Sequence, residues 1–266
     1  MADSPVIIIT GASSGIGEAT ARLFGAQGYR TVLAARRLER LEALAGEIKS
    51  GGGEALPVAA DVTRLEDIQN LVETTLERYG QIDILFNNAG FGRLDWLEAL
   101  DPIKDIEVQL RVNLLGVIQM TRAILPFMIK QRSGHIINMV SLAGLVATPT
   151  YSIYSAGKFA VRGFTEALRR EVGVFGINVS AIYPGGVSTE FSQHTGAHRK
   201  TGATTPAALR LSAEDVARAV LSVARRPRRM LVIPWVMRFG VWANSLAPGL
   251  SDWLMERNFT KPERGL

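Results

Sequence analysis

The chain has 266 residues, of which 47% are hydrophobic and 21% are charged, a balance that fits one packed α/β domain and excludes an intrinsically disordered chain. It has no cysteine, which excludes disulfides, thiolate metal sites and a cysteine nucleophile. Its formal net charge is +5, but the basic residues are scattered among acids and no nucleic-acid reading motif is present, so a nucleic-acid binder is disfavoured.

The first part of the chain alternates between short β-branched runs and segments with helical periodicity. The runs that predict strands are 6–9, 31–35, 55–60 and 82–86. The segments between them that predict helices are 18–27, 38–48 and 65–76. Pro57 cannot donate a ladder hydrogen bond, which predicts an edge position for the third strand.

The same alternation continues further along the chain. Strands are predicted at 135–140, 178–183 and 230–233, and helices at 105–131, 154–175 and 213–224. Alternating strands and crossover helices predict a parallel sheet covered on both faces, and right-handed crossovers make that sheet doubly wound. We therefore expect a single doubly wound α/β domain over residues 1–266, with about seven parallel strands.

A glycine-rich turn follows the first predicted strand. Gly11, Gly15 and Gly17 have the spacing G-x-x-x-G-x-G, at the start of the first predicted helix. Glycines let the backbone approach a pyrophosphate, and a helix N-terminus offers free N–H groups and a positive dipole end. This spacing differs from the dinucleotide spacing G-x-G-x-x-G, but its place directly after the first strand of an alternating chain favours a phosphate-binding turn. No Gly-Lys-Ser/Thr follows, which disfavours a P-loop nucleotidase.

The end of the second predicted strand bears on which dinucleotide binds. An acid at this place would accept a hydrogen bond from the ribose 2′-hydroxyl of NAD, but the chain reads Ala34-Ala35-Arg36-Arg37. A guanidinium pairs with a 2′-phosphate, so the sequence predicts NADP, with Arg36 as the favoured contact and Arg37 stacking or pointing to solvent. The alternative is that both arginines only begin a solvated helix.

Tyr154 and Lys158 are one helical turn apart, separated by about 6 Å of rise. A phenol with its ordinary pKa of about 10 is a poor acid or base at neutral pH, and a nearby ammonium lowers that pKa. This pair predicts an activated tyrosine, although an exposed tyrosine and lysine on a helix would have the same spacing.

Further segments accompany this pair. They are Thr10-Gly11-Ala12-Ser13-Ser14-Gly15-Ile16-Gly17, Asn87-Asn88-Ala89-Gly90, Asn113, Ser141, and Pro184-Gly185 with Thr189. In their order and spacing the chain resembles the short-chain dehydrogenase/reductase family over nearly its whole length. One departure is Gly157, where the family often has serine. The resemblance implies a Rossmann-type domain and an oxidoreductase that transfers hydride between NADP(H) and a carbonyl/alcohol pair.

The resemblance also implies the catalytic roles. Tyr154 protonates the carbonyl oxygen or deprotonates the alcohol, and Ser141 hydrogen-bonds that oxygen. Lys158 holds the nicotinamide ribose and lowers the pKa of the tyrosine. Asn113 supports a water that links Lys158 to solvent. The resemblance further implies a homo-oligomer, a dimer or tetramer formed through the helix that carries Tyr154.

The dinucleotide contacts implied by the resemblance come from the ends of successive strands. They are Gly11, Ser13, Ser14, Gly15, Ile16, Gly17, Arg36, Arg37, Asp61, Val62, Asn87, Ala89, Gly90, Tyr154, Lys158, Pro184, Gly185, Val187 and Thr189. Asp61 is similar to the family's adenine-binding carboxylate, and its alternative role is to cap the helix after Thr63. Asn88 is expected to stabilise the sheet instead of contacting the ligand.

Three loops are expected to shape the substrate pocket, namely 92–96, 142–151 and 185–205. Leu142, Leu145, Val146, Tyr151 and Phe191 predict an apolar wall, and the loop 142–151 has no arginine to bind an anion. An uncharged hydrophobic ketone, aldehyde or alcohol is the predicted substrate. The alternative function is a non-catalytic NADP(H)-binding sensor.

The C-terminal extension, residues 235–266, is apolar and contains three of the four tryptophans. It is expected to pack on the substrate loop or a subunit interface, and the alternative is peripheral contact with a membrane. The arginine run 225–229 predicts a solvated turn or, alternatively, an anion-facing patch. His135, His194 and His198 lack metal-binding spacing, and no signal peptide or spanning apolar run is visible, so we expect a cytoplasmic protein without a metal.

Overall fold

Seven parallel strands form the centre of the fold in the order β3-β2-β1-β4-β5-β6-β7. The computed structural model describes residues 4–193, 195 and 205–266. The strands are β1 Val6–Thr10, β2 Arg30–Ala35, β3 Glu54–Ala59, β4 Ile84–Asn87, β5 Gly134–Met139, β6 Ile177–Pro184 and β7 Met230–Ile233. The predicted parallel sheet is confirmed. Its order reverses between β1 and β4, which opens a crevice at the carboxyl ends of the strands.

Helices cover both faces of the sheet, as the alternation predicts. They are α1 Gly15–Ala26, α2 Leu38–Ser50, α3 Leu65–Tyr79, α4 Val108–Leu110, α5 Gly116–Gln131, α6 Ser152–Val172, α7 Glu190–Gln193, α8 Ala213–Arg225, α9 Met237–Leu246, α10 Pro248–Met255 and α11 Lys261–Arg264. Helices α1, α2 and α8 pack on one face, and α3, α5 and α6 on the other. Each face therefore has its own apolar core, with the sheet between them.

The position of each strand in the sheet explains its composition. Val6–Ile9 of β1 are fully buried because β1 lies between β2 and β4 with helices on both faces. The strand with Pro57 is β3, which occupies one edge of the sheet and, among the described strands, pairs with β2 alone. The missing N–H of Pro57 is tolerated there, so the predicted edge position is confirmed.

The helical stretch at 102–131 is less regular than its periodicity predicts. Two π-helical segments, Pro102–Glu107 and Arg111–Leu115, interrupt it on either side of α4. Such segments are rare in proteins, and those that do occur are often found at functional sites. By length and composition this stretch is also the one helix among the described residues that could cross a membrane, but Met120, Ile124 and Met128 pack in the core.

Candidate active site

A cavity of about 1760 Å³ lies in the crevice at the carboxyl ends of the strands. Its walls come from the glycine turn, the ends of β2, β4, β5 and β6, and the C-terminal helices α9 and α10. Because parallel strands bring their carboxyl ends to one edge, residues distant in sequence meet here. Most of the predicted site residues lie on these walls, and three of them, Gly17, Asn87 and Asn113, do not.

The glycine turn has no room for a side chain at Gly11 or Gly17. Gly11 has a φ of +68°, and a Cβ added there would lie 2.9 Å from the Cα of Ala89. A Cβ on Gly17 would lie 2.2 Å from the carbonyl oxygen of Gly11, so this glycine lets α1 pack against the turn behind the cavity. Helix α1 begins at Gly15, and its first amides lack intrahelical partners. The cradle that results fits a dinucleotide pyrophosphate.

The two arginines after β2 differ in their surroundings. Arg37 donates hydrogen bonds from Nη2 and Nε to Ser13 Oγ at 3.0 and 3.2 Å. Arg36 lines the cavity, is exposed, and makes no ion pair with the described residues. Arg37, which was expected to stack or point to solvent, therefore joins the end of β2 to the glycine turn, and both arginines border the same part of the cavity.

Glu190, which the sequence reasoning missed, binds this arginine segment from the far side of the cavity. Its carboxylate lies 2.8 Å from Arg40 Nη1 and 3.4 Å from Arg37 Nη2. It also shares a hydrogen bond with Ser14, and the hydrogen bond from Arg40 holds the pKa of Glu190 below its usual value. The available signal was an acid directly after Thr189, but its partners are far away in the sequence.

Ser141 and Tyr154 meet at the end of β5. Tyr154 is buried and shares a hydrogen bond with Ser141, whose hydroxyl also accepts one from the N–H of Ala143 at 3.2 Å. Ser141 has a φ of +128° and a ψ of 156°, a conformation that side chains rarely adopt. Strain of this kind persists where the surrounding fold enforces it, often at functional sites.

Tyr154 and Lys158 are both buried, and burial affects both side chains. It raises the pKa of the Tyr154 phenol above its ordinary value, and the hydrogen bond with Ser141 only partly offsets that rise. Burial also lowers the pKa of Lys158 to about 8. The Nζ of Lys158 donates to the carbonyl oxygen of Met139 at 2.9 Å and lies 5.6 Å from the centre of the Tyr154 ring. Burial therefore acts on the phenol against the lowering of its pKa that the resemblance implies for Lys158.

Asn113 lies behind the cavity wall in the second π-helical segment. Its amide donates to the carbonyl oxygen of Phe91 at 2.7 Å and accepts from the N–H of Phe91 at 3.0 Å. A Cβ on Gly90 would lie 2.9 Å from Asn113 Oδ1, which explains the glycine at that position. The side chain of Asn113 thus fixes the chain that leaves β4.

Of the two asparagines at the end of β4, Asn87 departs from its expected contact with the dinucleotide, and Asn88 has its expected hydrogen bonds to the sheet. Asn87 is buried and donates from Nδ2 to Asn138 at 2.9 Å and to Thr121 at 3.1 Å, so its side chain braces the sheet and does not line the cavity. Asn88 donates to the carbonyl oxygen of Thr10 at 2.9 Å and does line the cavity. The side chains alternate along the strand end, and the sequence does not reveal which one faces the core.

Asp61 lines the cavity at the end of β3, and its side chain does not cap α3. One carboxylate oxygen accepts hydrogen bonds from the N–H and the hydroxyl of Thr63 at 2.9 and 2.7 Å, whereas the residue that precedes α3 is Arg64, which makes no capping hydrogen bond. Val62 lines the cavity beside Asp61, and a Cβ on Gly116 would lie 2.8 Å from this valine. Asp61 therefore orders the turn before α3 and borders the cavity.

The substrate side of the cavity is apolar. Leu142, Val146, Tyr151 and Phe191 line it, and the Phe191 ring packs 5.6 Å from the Tyr154 ring. Leu145 was expected in this wall but is buried in the core beneath it. The predicted loop 185–205 is described only in part, since residue 194 and residues 196–204, with His194 and His198, lie outside the described residues.

The C-terminal extension closes the cavity on one side. Its inward face contributes a set of mostly apolar residues to the lining, among them Met237, Val241, Leu254, Met255 and Phe259. The outward face of α9 carries Phe239 and Trp242, which are 57% and 52% exposed. The C-terminal extension therefore packs over the substrate side of the cavity. It is amphipathic, with one face towards the cavity and the other towards solvent.

Known protein families and proteins are similar to this chain over the part that contains these site residues. A family model described as short chain dehydrogenase matches residues 5–200, a range that includes the glycine turn and Tyr154. An uncharacterized oxidoreductase of Listeria innocua is 48% identical over 187 residues, which cover 70% of this chain and 75% of that protein.

Solved structures are similar over most of the chain. A short chain dehydrogenase/reductase of Burkholderia phymatum in complex with NAD has a TM-score of 0.84 at 28% identity, covering 94% of this chain and 95% of that one. An alcohol dehydrogenase of the archaeon Thermococcus sibiricus complexed with 5-hydroxy-NADP has a TM-score of 0.76 at 29% identity, covering 87% of this chain and 95% of that one.

Proposed function

The chain belongs to the short-chain dehydrogenase/reductase family of oxidoreductases, and on that premise we propose that it is an NADP(H)-dependent carbonyl reductase with Tyr154 as its acid/base. The observation that carries the proposal is the position of Ser141, Tyr154 and Lys158 on one wall of a cavity that also contains the glycine cradle. A proton donor and a dinucleotide site then share one enclosed space.

Reduction of a carbonyl needs a hydride at carbon and a proton at oxygen. The reduced dinucleotide supplies the hydride when it is bound. Tyr154 Oη donates the proton to the carbonyl oxygen, and Ser141 Oγ holds that oxygen within hydrogen-bond distance. Because burial raises the pKa of Tyr154, the phenol is protonated at neutral pH, which is the form that reduction consumes.

Lys158 acts on the state that follows proton transfer. When Tyr154 loses its proton, the phenolate faces a buried ammonium 5.6 Å from the ring centre, and opposite charges attract strongly where water is excluded. A pKa of about 8 keeps Lys158 mostly protonated at neutral pH and still able to release a proton. We propose that this residue stabilises the phenolate and takes part in its reprotonation.

The choice of NADP rests on the end of β2. The residues that follow β2 are arginines instead of the acid that would bind the ribose of NAD, and Arg37 and Ser13 form a hydrogen-bonded pair beside the glycine turn. A guanidinium and a hydroxyl together offer several donors to a 2′-phosphate. Arg36 borders the same space and supports the proposal as a second cation.

We propose an uncharged, hydrophobic ketone or aldehyde as the substrate. Leu142, Val146 and Phe191 form one side of the cavity, and the inward faces of α9 and α10 form another. The C-terminal extension is thus part of the substrate pocket in this proposal. A panel of carbonyls graded in chain length and charge, reduced with NADPH and with NADH, measures both preferences, and a preference for charged short substrates would contradict this assignment.

The test of the mechanism is Tyr154→Phe, which removes the proton donor without changing the shape of the ring. We expect turnover to fall at least 100-fold, in line with the usual contribution of a general acid, while the dissociation constant of NADPH stays nearly unchanged. Tyr79→Phe on α3 is the matched control, since it removes a buried hydroxyl outside the cavity lining.

Two results would contradict the proposal. Full activity in Tyr154→Phe would remove the assigned acid. A wild-type chain that binds NADPH but reduces no carbonyl would favour the alternative, a non-catalytic NADP(H) sensor.

A further inference from the structure

Glu190 joins the nicotinamide side of the cavity to its adenosine side. It begins α7, directly after Thr189, whereas Arg37 and Arg40 lie at the start of α2. Its carboxylate is 2.8 Å from Arg40 Nη1 and 3.4 Å from Arg37 Nη2, and it lines the cavity itself. The carboxylate of Glu190 is therefore paired with Arg37 and Arg40, the cations beside the expected position of a ribose 2′-phosphate.

We propose that Glu190 competes with the 2′-phosphate of NADP(H) for Arg37 and so limits the selectivity of the enzyme for NADP(H) over NAD(H). This inference rests on the proposed dinucleotide function. A carboxylate and a phosphate bind the same edges of a guanidinium, and two anions close together repel each other. NAD(H) has a hydroxyl at this position and is not repelled in this way.

The distances show which contact gives way. Arg40 holds Glu190 more closely than Arg37 does, and Arg37 has a second partner in Ser13. When a phosphate takes the remaining donors of Arg37, Glu190 can keep its contact with Arg40. The competition is therefore a partial one, between side chains of Arg37, Arg40 and Glu190 that are 41%, 48% and 38% exposed.

Phe191, the residue after Glu190, lies at the catalytic centre. Phe191 packs against the Tyr154 ring, and a Cβ on Gly92 would lie 2.8 Å from the Phe191 ring. Glu190 and the ring that packs on the proton donor are therefore adjacent residues of α7.

The experiment compares wild type with Glu190→Gln, which removes the charge and keeps the shape. Dissociation constants for NADPH and NADH are measured by fluorescence titration at low and high salt. We expect NADPH to bind about two- to fivefold more tightly in the variant, the size typical of exposed ion pairs, with NADH unchanged. Salt should shrink the difference because it screens exposed charges. Glu47→Gln is the control, since Glu47 pairs with Arg22 outside the cavity lining.

Two outcomes would overturn the proposed competition between Glu190 and the 2′-phosphate, and a separate one concerns the proposed NADP(H) function. Unchanged or weaker NADPH binding in Glu190→Gln, repeated in Glu190→Ala, overturns the competition. Equal loss of NADPH and NADH binding also overturns it, because Glu190 would then support the loop and nothing more. The proposed NADP(H) function is judged separately, by wild type alone, and fails if wild type prefers NADH whatever the variants do.

Discussion

Replacing Gly17 by alanine tests whether the glycine turn is a close-packed phosphate cradle. The added Cβ would lie 2.2 Å from the carbonyl oxygen of Gly11 and 2.7 Å from Asn88 Nδ2, whereas ordinary contact begins at 3.4 Å. The oxygen is backbone and cannot rotate away, so α1 and the turn must separate by about 1 Å. Overpacking of this kind costs about 1–3 kcal/mol of stability. A displacement of that size at a binding site can cost about 100-fold in rate.

The assay measures the melting temperature and the dissociation constant of NADPH for Gly17→Ala and for Gly46→Ala. Gly46 is also inside a helix, α2, but a Cβ there meets nothing within 4 Å. Gly46→Ala should therefore gain about 0.5–1 kcal/mol through helix propensity and bind NADPH normally. Gly17→Ala should lose both stability and binding. If it binds NADPH as tightly as Gly46→Ala, the steric reasoning about the cradle is wrong.

Substitutions at two positions of the catalytic wall separate stability from activity. Lys158→Met should abolish turnover yet raise stability near pH 7, because the depressed pKa of Lys158 means that its buried charge costs free energy. That cost is fully present below about pH 8 and disappears as pH rises towards the unfolded value of about 10.4, so the gap in melting temperature between variant and wild type should close over that range. A gap that widens with pH would refute this. Ser141→Gly should relieve about 1–3 kcal/mol of backbone strain, while Ser141→Ala keeps the strain; both should lose turnover. Equal melting temperatures for the two would contradict the strain argument.

Several features of the site were predictable because their information is local. The glycine turn after β1 and the pair Tyr154 and Lys158 on one helix face depend on spacings within a few residues. Backbone geometry converts such spacings into positions directly. The sheet was also predictable, since a buried parallel strand needs β-branched side chains on both of its faces.

Other features depend on which surfaces meet. Whether Asn87 or Asn88 faces the cavity is set by the packing of β4 against its neighbours, and the contact of Asn113 with Phe91 joins segments that are 22 residues apart. The direction of the shift in the pKa of Tyr154 also depends on tertiary packing. The spacing of the two residues predicts a neighbouring ammonium, but the rise in the pKa of Tyr154 comes from burial, which depends on tertiary packing.

Short-range periodicity and steric limits are enough to predict the doubly wound sheet, the glycine turn and the placement of Tyr154 and Lys158 on one helix. The pairing of Glu190 with Arg40 and the lining of the cavity by the C-terminal helices are visible only in the folded chain. They are contacts between distant segments, and such contacts depend on how whole elements pack. No local pattern of residues specifies that packing.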